Sequence, residues 1–275
     1  MTHLSGKIAL ITGASAPRGI GRAVAMRLAR DGAMVVVTDR TGTVALDGIT
    51  QERSDLLAGL VRDIEAEGGR ARAMTLDVTD ADNIATCIAA TTGHFGPVDI
   101  LVNNAGSLAG SDAFMATTPD QWQASFAVNL LGPMMLSQAV IPHMQAAGGG
   151  RIINIGSTGS LGAEPGFGAY TAMKHGAVGL AKTLAAEFGP DGILCNLVCP
   201  GYIATDMHLA ANTRLAAENA VPIAEMQRRR YADVALRAAG TPQDVAGAVA
   251  YLAGPEGNYI TGITLPVAGG VPCGI

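Results

Sequence analysis

Tyr170 and Lys174, four residues apart, form the residue pair in this chain with the plainest chemical use. On a helix that spacing puts both side chains on one face. A phenol with an ordinary pKa of about 10 is a poor acid or base at neutral pH, and a neighbouring ammonium favours the phenolate and draws that value down. Ser157 lies upstream, just past a β-branched run, where it could hydrogen-bond a substrate oxygen. The same Tyr-x-x-x-Lys spacing also suits an ordinary surface pair on an amphipathic helix. The elements around the pair therefore decide its meaning.

Residues 152–155 predict a buried strand, followed by a Gly-rich loop that carries Ser157. From Tyr170 onward Met173, Ala177, Val178, Leu180, Ala181 and Leu184 recur at three- and four-residue steps, which predicts a helix. At the other end of the chain, residues 7–11 (KIALI) predict a strand, 12–21 (TGASAPRGIG) a Gly-rich turn and 22–30 an amphipathic helix. In that context Gly13, Gly19 and Ile20 suit a pyrophosphate, because glycine admits close backbone approach and a helix start offers N–H groups. A second strand over 33–38 ends in Asp39, where a carboxylate can accept from both ribose hydroxyls of an adenosine and repels a 2′-phosphate. Arg18 and Arg40 pull the other way. The carboxylate is the stronger influence, so NAD is favoured over NADP.

Further along, 41–52 reads as an extended polar loop, 56–67 as a helix, 72–76 as a strand ending at Asp77-Val78, and 81–92 as a helix. A strand over 100–102 runs into Asn103-Asn104-Ala105-Gly106, where amides and small residues suit either a ligand crevice or a turn cap. Residues 119–144 predict one long helix with Asn129 inside it, an unfavourable place for an amide. A strand over 193–198 ends at Pro200-Gly201. Segment 202–237 is polar and helical, 242–253 is an amphipathic helix, and 261–267 is a last strand. Strand–helix alternation with near-continuous apolar strands predicts an α/β chain: one domain, 1–275, with a doubly wound parallel sheet covered on both faces.

Composition agrees with that class. The chain has 275 residues, 49% hydrophobic and only 15% charged, with 36 glycines, which suits closely packed helices and excludes disorder. A net charge of −5 gives no reason to expect nucleic acid as a partner. The N-terminus runs straight toward a strand without a signal-peptide pattern, and no apolar run reaches the ~20 residues of a membrane helix. The chain is thus expected to be cytoplasmic, without a membrane partner. Cys87, Cys195, Cys199 and Cys273 are scattered and read as reduced thiols rather than metal ligands.

In order and spacing, these landmarks resemble the short-chain dehydrogenase/reductase family over nearly the whole chain. The resemblance implies a Rossmann-type sheet and NAD(P)-dependent interconversion of an alcohol and a carbonyl on a small-molecule substrate. It implies Tyr170 as acid/base, Ser157 as the group that positions the substrate oxygen, Lys174 as tuner of the tyrosine and holder of the nicotinamide ribose, and Asn129 as keeper of a proton-relaying water. For the cofactor it implies Gly13, Ser15, Arg18, Gly19, Ile20 and Asp39; Asp77 and Val78 at the adenine; Asn104, Ala105 and Gly106; and Pro200, Gly201, Ile203 and Thr205 toward the nicotinamide. It also implies a homotetramer built through the Asn129 and Tyr170 helices. The chain departs from the family's Thr-Gly-x-x-x-Gly-x-Gly loop: five residues, Ala14 to Arg18, separate Gly13 from Gly19, so a bulge is expected near the adenosine end.

Two other functions compete. One is an NADPH-dependent reductase of 3-oxoacyl thioesters on an acyl carrier, for which Arg228-Arg229-Arg230 could dock the acidic carrier. The other is a non-catalytic dinucleotide sensor, against which the intact Asn129, Ser157, Tyr170 and Lys174 set argues. Segment 202–237 is expected to cover the site, with Met207, Leu209, Leu215, Val221, Ile223 and Met226 either walling the pocket or packing among the helices.

Overall fold

A computed structural model describes residues 2–46 and 48–272; Cys273 lies outside the described residues. The strands are β1 (Ile8–Ile11), β2 (Met34–Asp39), β3 (Thr43–Leu46), β4 (Ile49–Glu52) and β5 (Arg70–Thr75), followed by β6 (Ile100–Asn103), β7 (Gly150–Ile155), β8 (Ile193–Pro200) and β9 (Thr264–Val267). All but β3 and β4 form one seven-stranded parallel sheet in the order β5-β2-β1-β6-β7-β8-β9. The order reverses at β1, and the crevice that opens there lies past the C-terminal ends of β1 and β6.

Alternation along the strands feeds two cores. Ala9, Ile11, Val35 and Val37 face α1 (Ile20–Arg30), α2 (Arg53–Ala66) and α9 (Pro242–Ala253). Leu10, Val36, Leu101 and Ile152 face the opposite layer, which holds α3 (Ala81–Phe95), α5 (Gly132–Ala146) and α6 (Gly168–Phe188). Successive strand residues point to opposite faces, so a strand covered on both sides must be apolar throughout, and β1 is buried at all four positions. Cys87, Cys195 and Cys199 are buried thiols outside any disulfide.

Two segments differ from expectation, and a third, 202–237, is helical as expected. Residues 41–52 are not an extended loop: β3 and β4 pair antiparallel from Thr43↔Glu52 to Leu46↔Ile49, with Gly48 at φ +80° in the connection. Their side chains are mostly exposed, so the ladder is held by its turn and leaves no core-facing pattern to read. The helix over 119–146 runs as α4 (Pro119–Phe126), a π-turn at Ala127–Leu131 and α5. By length and composition this 28-residue helix could cross a membrane, contrary to the expectation from apolar run length. Here, however, Leu136, Val140, Ile141 and Met144 are packed into the core. Segment 202–237 carries α7 (Asp206–Glu218) and α8 (Ile223–Arg230).

Candidate active site

The Gly-rich loop leaves β1 and is tied to the end of β6. Asn104 donates through Nδ2 to the carbonyls of Thr12 (2.8 Å) and Gly13 (2.9 Å). Thr12 Oγ1 accepts from the backbone N–H groups of Asn104 (3.0 Å) and Ala105 (2.9 Å). Gly13 is left-handed at φ +67°, and a Cβ there would sit 2.9 Å from Ala105 Cα, so this crossing needs glycine. Asn104 thus holds the crevice together from behind, a role Thr12 shares and the motif reading missed.

The donor set beyond Gly13 fits a dinucleotide. Gly19 is the N-cap of α1; no side chain caps this end, and its first turn has no acid. Ile20 opens the helix, so the positive end of α1 and its N–H groups point into the crevice. Asp39, at the end of β2, is a half-buried carboxylate. Its Oδ2 accepts from Ser15 Oγ (2.6 Å) and Ser15 N (3.2 Å), and its Oδ1 from Arg40 N (2.9 Å). Ser15 is fully buried and so acts behind Asp39. Asp77 Oδ1 accepts from Thr79 N and Oγ1, which fixes the turn after β5. Val78 is buried against Gly132 at the start of α5.

Within the five-residue loop, Arg18 turns to the start of α7. Arg18 N and Nε donate to Asp206 at 3.0 and 2.5 Å, joining the Gly-rich loop to the first turn of α7. Around that junction Gly201 N donates to Val267 O, Ile203 is buried, and Thr205 caps α7 by accepting from His208 N at 3.3 Å. Pro200 closes β8.

Ser157, Tyr170 and Lys174 converge at the end of β7. Ser157 caps a short 3-10 turn (Thr158–Ser160), accepting from Gly159 N at 3.1 Å, and its side chain hydrogen-bonds with Tyr170. Tyr170 occupies the first turn of α6, and Lys174 follows one turn later, buried, with Nζ donating to Ile155 O at 2.8 Å. Nζ lies 5.5 Å from the centre of the Tyr170 ring, over the face of the ring. Burial pushes the lysine down to about 8 from its ordinary 10.5. The tyrosine does not follow the expected direction. Burial raises its pKa, the Ser157 hydrogen bond opposes the rise, and Cys199 adds to it. A lysine committed to a carbonyl and facing the ring leaves desolvation as the larger influence.

Asn129 sits in the π-turn, nearly fully buried. Its Nδ2 donates to Ser107 O (2.9 Å) and Ser125 Oγ (3.2 Å), and its Oδ1 accepts from Ser107 N (3.1 Å). Gly106 brings this amide and Lys174 to one place: a Cβ on Gly106 would lie 3.4 Å from Asn129 Oδ1 and 3.9 Å from Lys174 Nζ.

The segment after Pro200-Gly201 is less apolar on its inner side than expected. Met226 is buried, but Met207 and Ile223 are exposed. Tyr202, His208 and Tyr231 instead cluster with ring centres 5.5–5.8 Å apart. His208 Nε2 and Tyr231 Oη share a hydrogen bond at 2.8 Å. Tyr202 also hydrogen-bonds with Glu164, which belongs to the loop between Ser157 and Tyr170. Of the three consecutive arginines, Arg228 and Arg229 pair with Glu225, while Arg230 turns inward to Asn212 Oδ1 (2.5 Å) and the Tyr202 ring.

A parallel sheet whose order reverses beside an uncapped, Gly-rich helix start defines a dinucleotide-binding fold of the Rossmann type. Residues 13–272 match the family profile described as Enoyl-(Acyl carrier protein) reductase. Among curated relatives, the chain is 38% identical over 269 residues to the 3-oxoacyl-[acyl-carrier-protein] reductase FabG of Vibrio cholerae, covering 98% of each. It is also 38% identical to the short-chain reductase protein NovJ of Streptomyces niveus, over 96% of this chain and 94% of that one. Among solved structures, a variant of the actinorhodin polyketide ketoreductase with NADPH superposes with a TM-score of 0.87 at 34% identity, over 96% of this chain and 97% of that one. The chain belongs to the short-chain dehydrogenase/reductase family and is an oxidoreductase.

Proposed function

We propose that the chain transfers a hydride between NAD(H) and a secondary alcohol or ketone, with Tyr170 as the acid/base. The observation that carries this is the convergence of Ser157, Tyr170 and a buried, carbonyl-bound Lys174 at the strand end beside the crevice. A bound nicotinamide supplies or accepts the hydride. In reduction, Tyr170 Oη gives its proton to the forming alkoxide oxygen, which Ser157 Oγ holds by a hydrogen bond. In oxidation the same oxygen takes the alcohol proton. Lys174 places its cation under the tyrosine ring, and the π-turn around Asn129 leaves backbone groups without regular helical partners, where a water can enter the relay. Asp39 at the end of β2 supports NAD(H), and the Gly13–Ile20 loop with the α1 start supports the pyrophosphate.

Segment 202–237 is read as the lid, since Tyr202 reaches Glu164 of the Ser157–Tyr170 loop. The acyl-carrier reading has the names of several relatives in its favour. Against a basic docking face, Arg228 and Arg229 are already paired with Glu225. The outer faces of α4, α5 and α6 are the surfaces on which four copies would meet, and sedimentation showing only monomer would remove that reading.

The test is reduction of a panel of ketones and 3-oxoacyl thioesters with NADH and NADPH, run beside Tyr170→Phe. The variant is expected to lose about 10²–10⁴ in kcat/KM while still binding NADH. Undiminished turnover in Tyr170→Phe would overturn the assignment.

A further inference from the structure

Asp39 faces a cation that the sequence motifs did not single out. Arg53 opens α2 directly after the β3–β4 hairpin, and its N–H donates to Gly42 O at 3.0 Å, closing the base of that hairpin. Its side chain, mostly buried, turns toward the end of β2. Nη1 lies 3.2 Å from Ser15 Oγ and 3.5 Å from each oxygen of Asp39. These distances exceed the ~2.7–2.9 Å of a tight charge-assisted bond. Nε is buried and has no acceptor. An orphaned guanidinium donor at such a place is costly unless a ligand completes it.

The neighbouring groups sharpen the point. Arg18 of the Gly-rich loop is bound to Asp206, and Arg40, exposed past the strand, lies at the mouth of the cleft beside Asp39. A cleft of about 100 Å³ opens beside Asp39, lined by Arg40, Thr41, Ser54 and Thr75, with Glu52 as the other acid on its wall; Arg53 lies behind Asp39 rather than on that wall. A lone carboxylate here would repel a phosphate dianion, but a guanidinium within 3.5 Å offsets most of that field and keeps donors to spare.

We propose that Arg53 receives the 2′-phosphate of NADP(H), so that this site takes both dinucleotides although a carboxylate ends β2. The inference rests on the dinucleotide reading above and adds to it the residue that sets selectivity. Arg53 is a binding residue delivered by the hairpin, and Asp39 serves the ribose of NAD(H) and orients the arginine.

Binding of NADH and NADPH to the purified protein, followed by nicotinamide fluorescence, tests it without reference to turnover. For the native chain the two dissociation constants should agree within about tenfold. In Arg53→Gln the NADPH/NADH ratio of dissociation constants should rise at least about tenfold, and Arg53→Lys should restore part of it. NADPH binding, unlike NADH binding, should weaken steeply with added salt in the native chain and lose that dependence in Arg53→Gln. An unchanged ratio in Arg53→Gln overturns the inference. So does a native chain that binds NADH but takes NADPH more than about a hundredfold more weakly, and in that case the NAD(H) reading stands. A chain that binds neither overturns both.

Discussion

Lys174 is held where a cation is expensive, and the expense can be measured. Its ammonium is buried and donates one hydrogen bond to Ile155 O, and burial draws its pKa from 10.5 to about 8. A base whose folded pKa is depressed binds fewer protons in the native than in the unfolded state between the two values. Stability therefore rises with pH through that window. The penalty is full below pH 8, because both states are charged, and is gone above 10.5, because both are neutral. A shift of that size corresponds to about 3 kcal/mol, of which about 2.5 kcal/mol is relieved between pH 7 and pH 10. Replacing the lysine by methionine removes the charge, keeps most of the volume and leaves Ile155 O without that donor, a pH-independent loss. Urea unfolding of the native chain and Lys174→Met, at pH 7 and pH 10, gives two stability differences from which every other titration cancels. The variant's relative stability should fall by about 2.5 kcal/mol between those values. A difference constant within about 0.5 kcal/mol would show that the lysine is not desolvated as its surroundings indicate.

Two further outcomes follow from the same surroundings. Asn129→Ala strips partners from Ser107 N, Ser107 O and Ser125 Oγ, and should cost about 2–4 kcal/mol in urea unfolding. His208, pushed down to about 4 by burial and then by Arg230, stays neutral in the fold while the unfolded chain protonates near 6.5. Native stability should accordingly fall as pH drops from 6.5 toward 4, and the thermal midpoint of His208→Gln should fall less across that interval.

The long-range order of the fold was legible because the central sheet strands are apolar on both faces and the helices packed on them carry apolar stripes. Tyr170, Lys174, Ser157 and Asn129 were legible as types at spacings, and the structure brings them to one strand end. What could not be read is where tertiary surroundings overrule a local rule. The tyrosine's pKa direction depends on burial by elements far away in the chain, and no spacing reports that. Arg53 was missed because it stands at a helix start with nothing around it that looks like a motif. One signal was present: Asp47-Gly48 between alternating residues is a hairpin sequence, and a hairpin placed directly after β2 must return its exit to the end of that strand. Asn129 looked out of place within a helix, and the π-turn is the physical answer, since the wider turn gives the amide room to hold Ser107.

The pair Arg18–Asp206 joins residues 188 positions apart. A chain is made from its N-terminus, so the Gly-rich loop leaves the ribosome long before its partner exists, and it cannot take up this arrangement until β8 and the start of α7 have been synthesised and docked. The oldest stretch of the nascent chain is thus among the last to settle. A protein truncated before residue 206 would hold the whole glycine-rich turn and still lack the contact that fixes its outer edge.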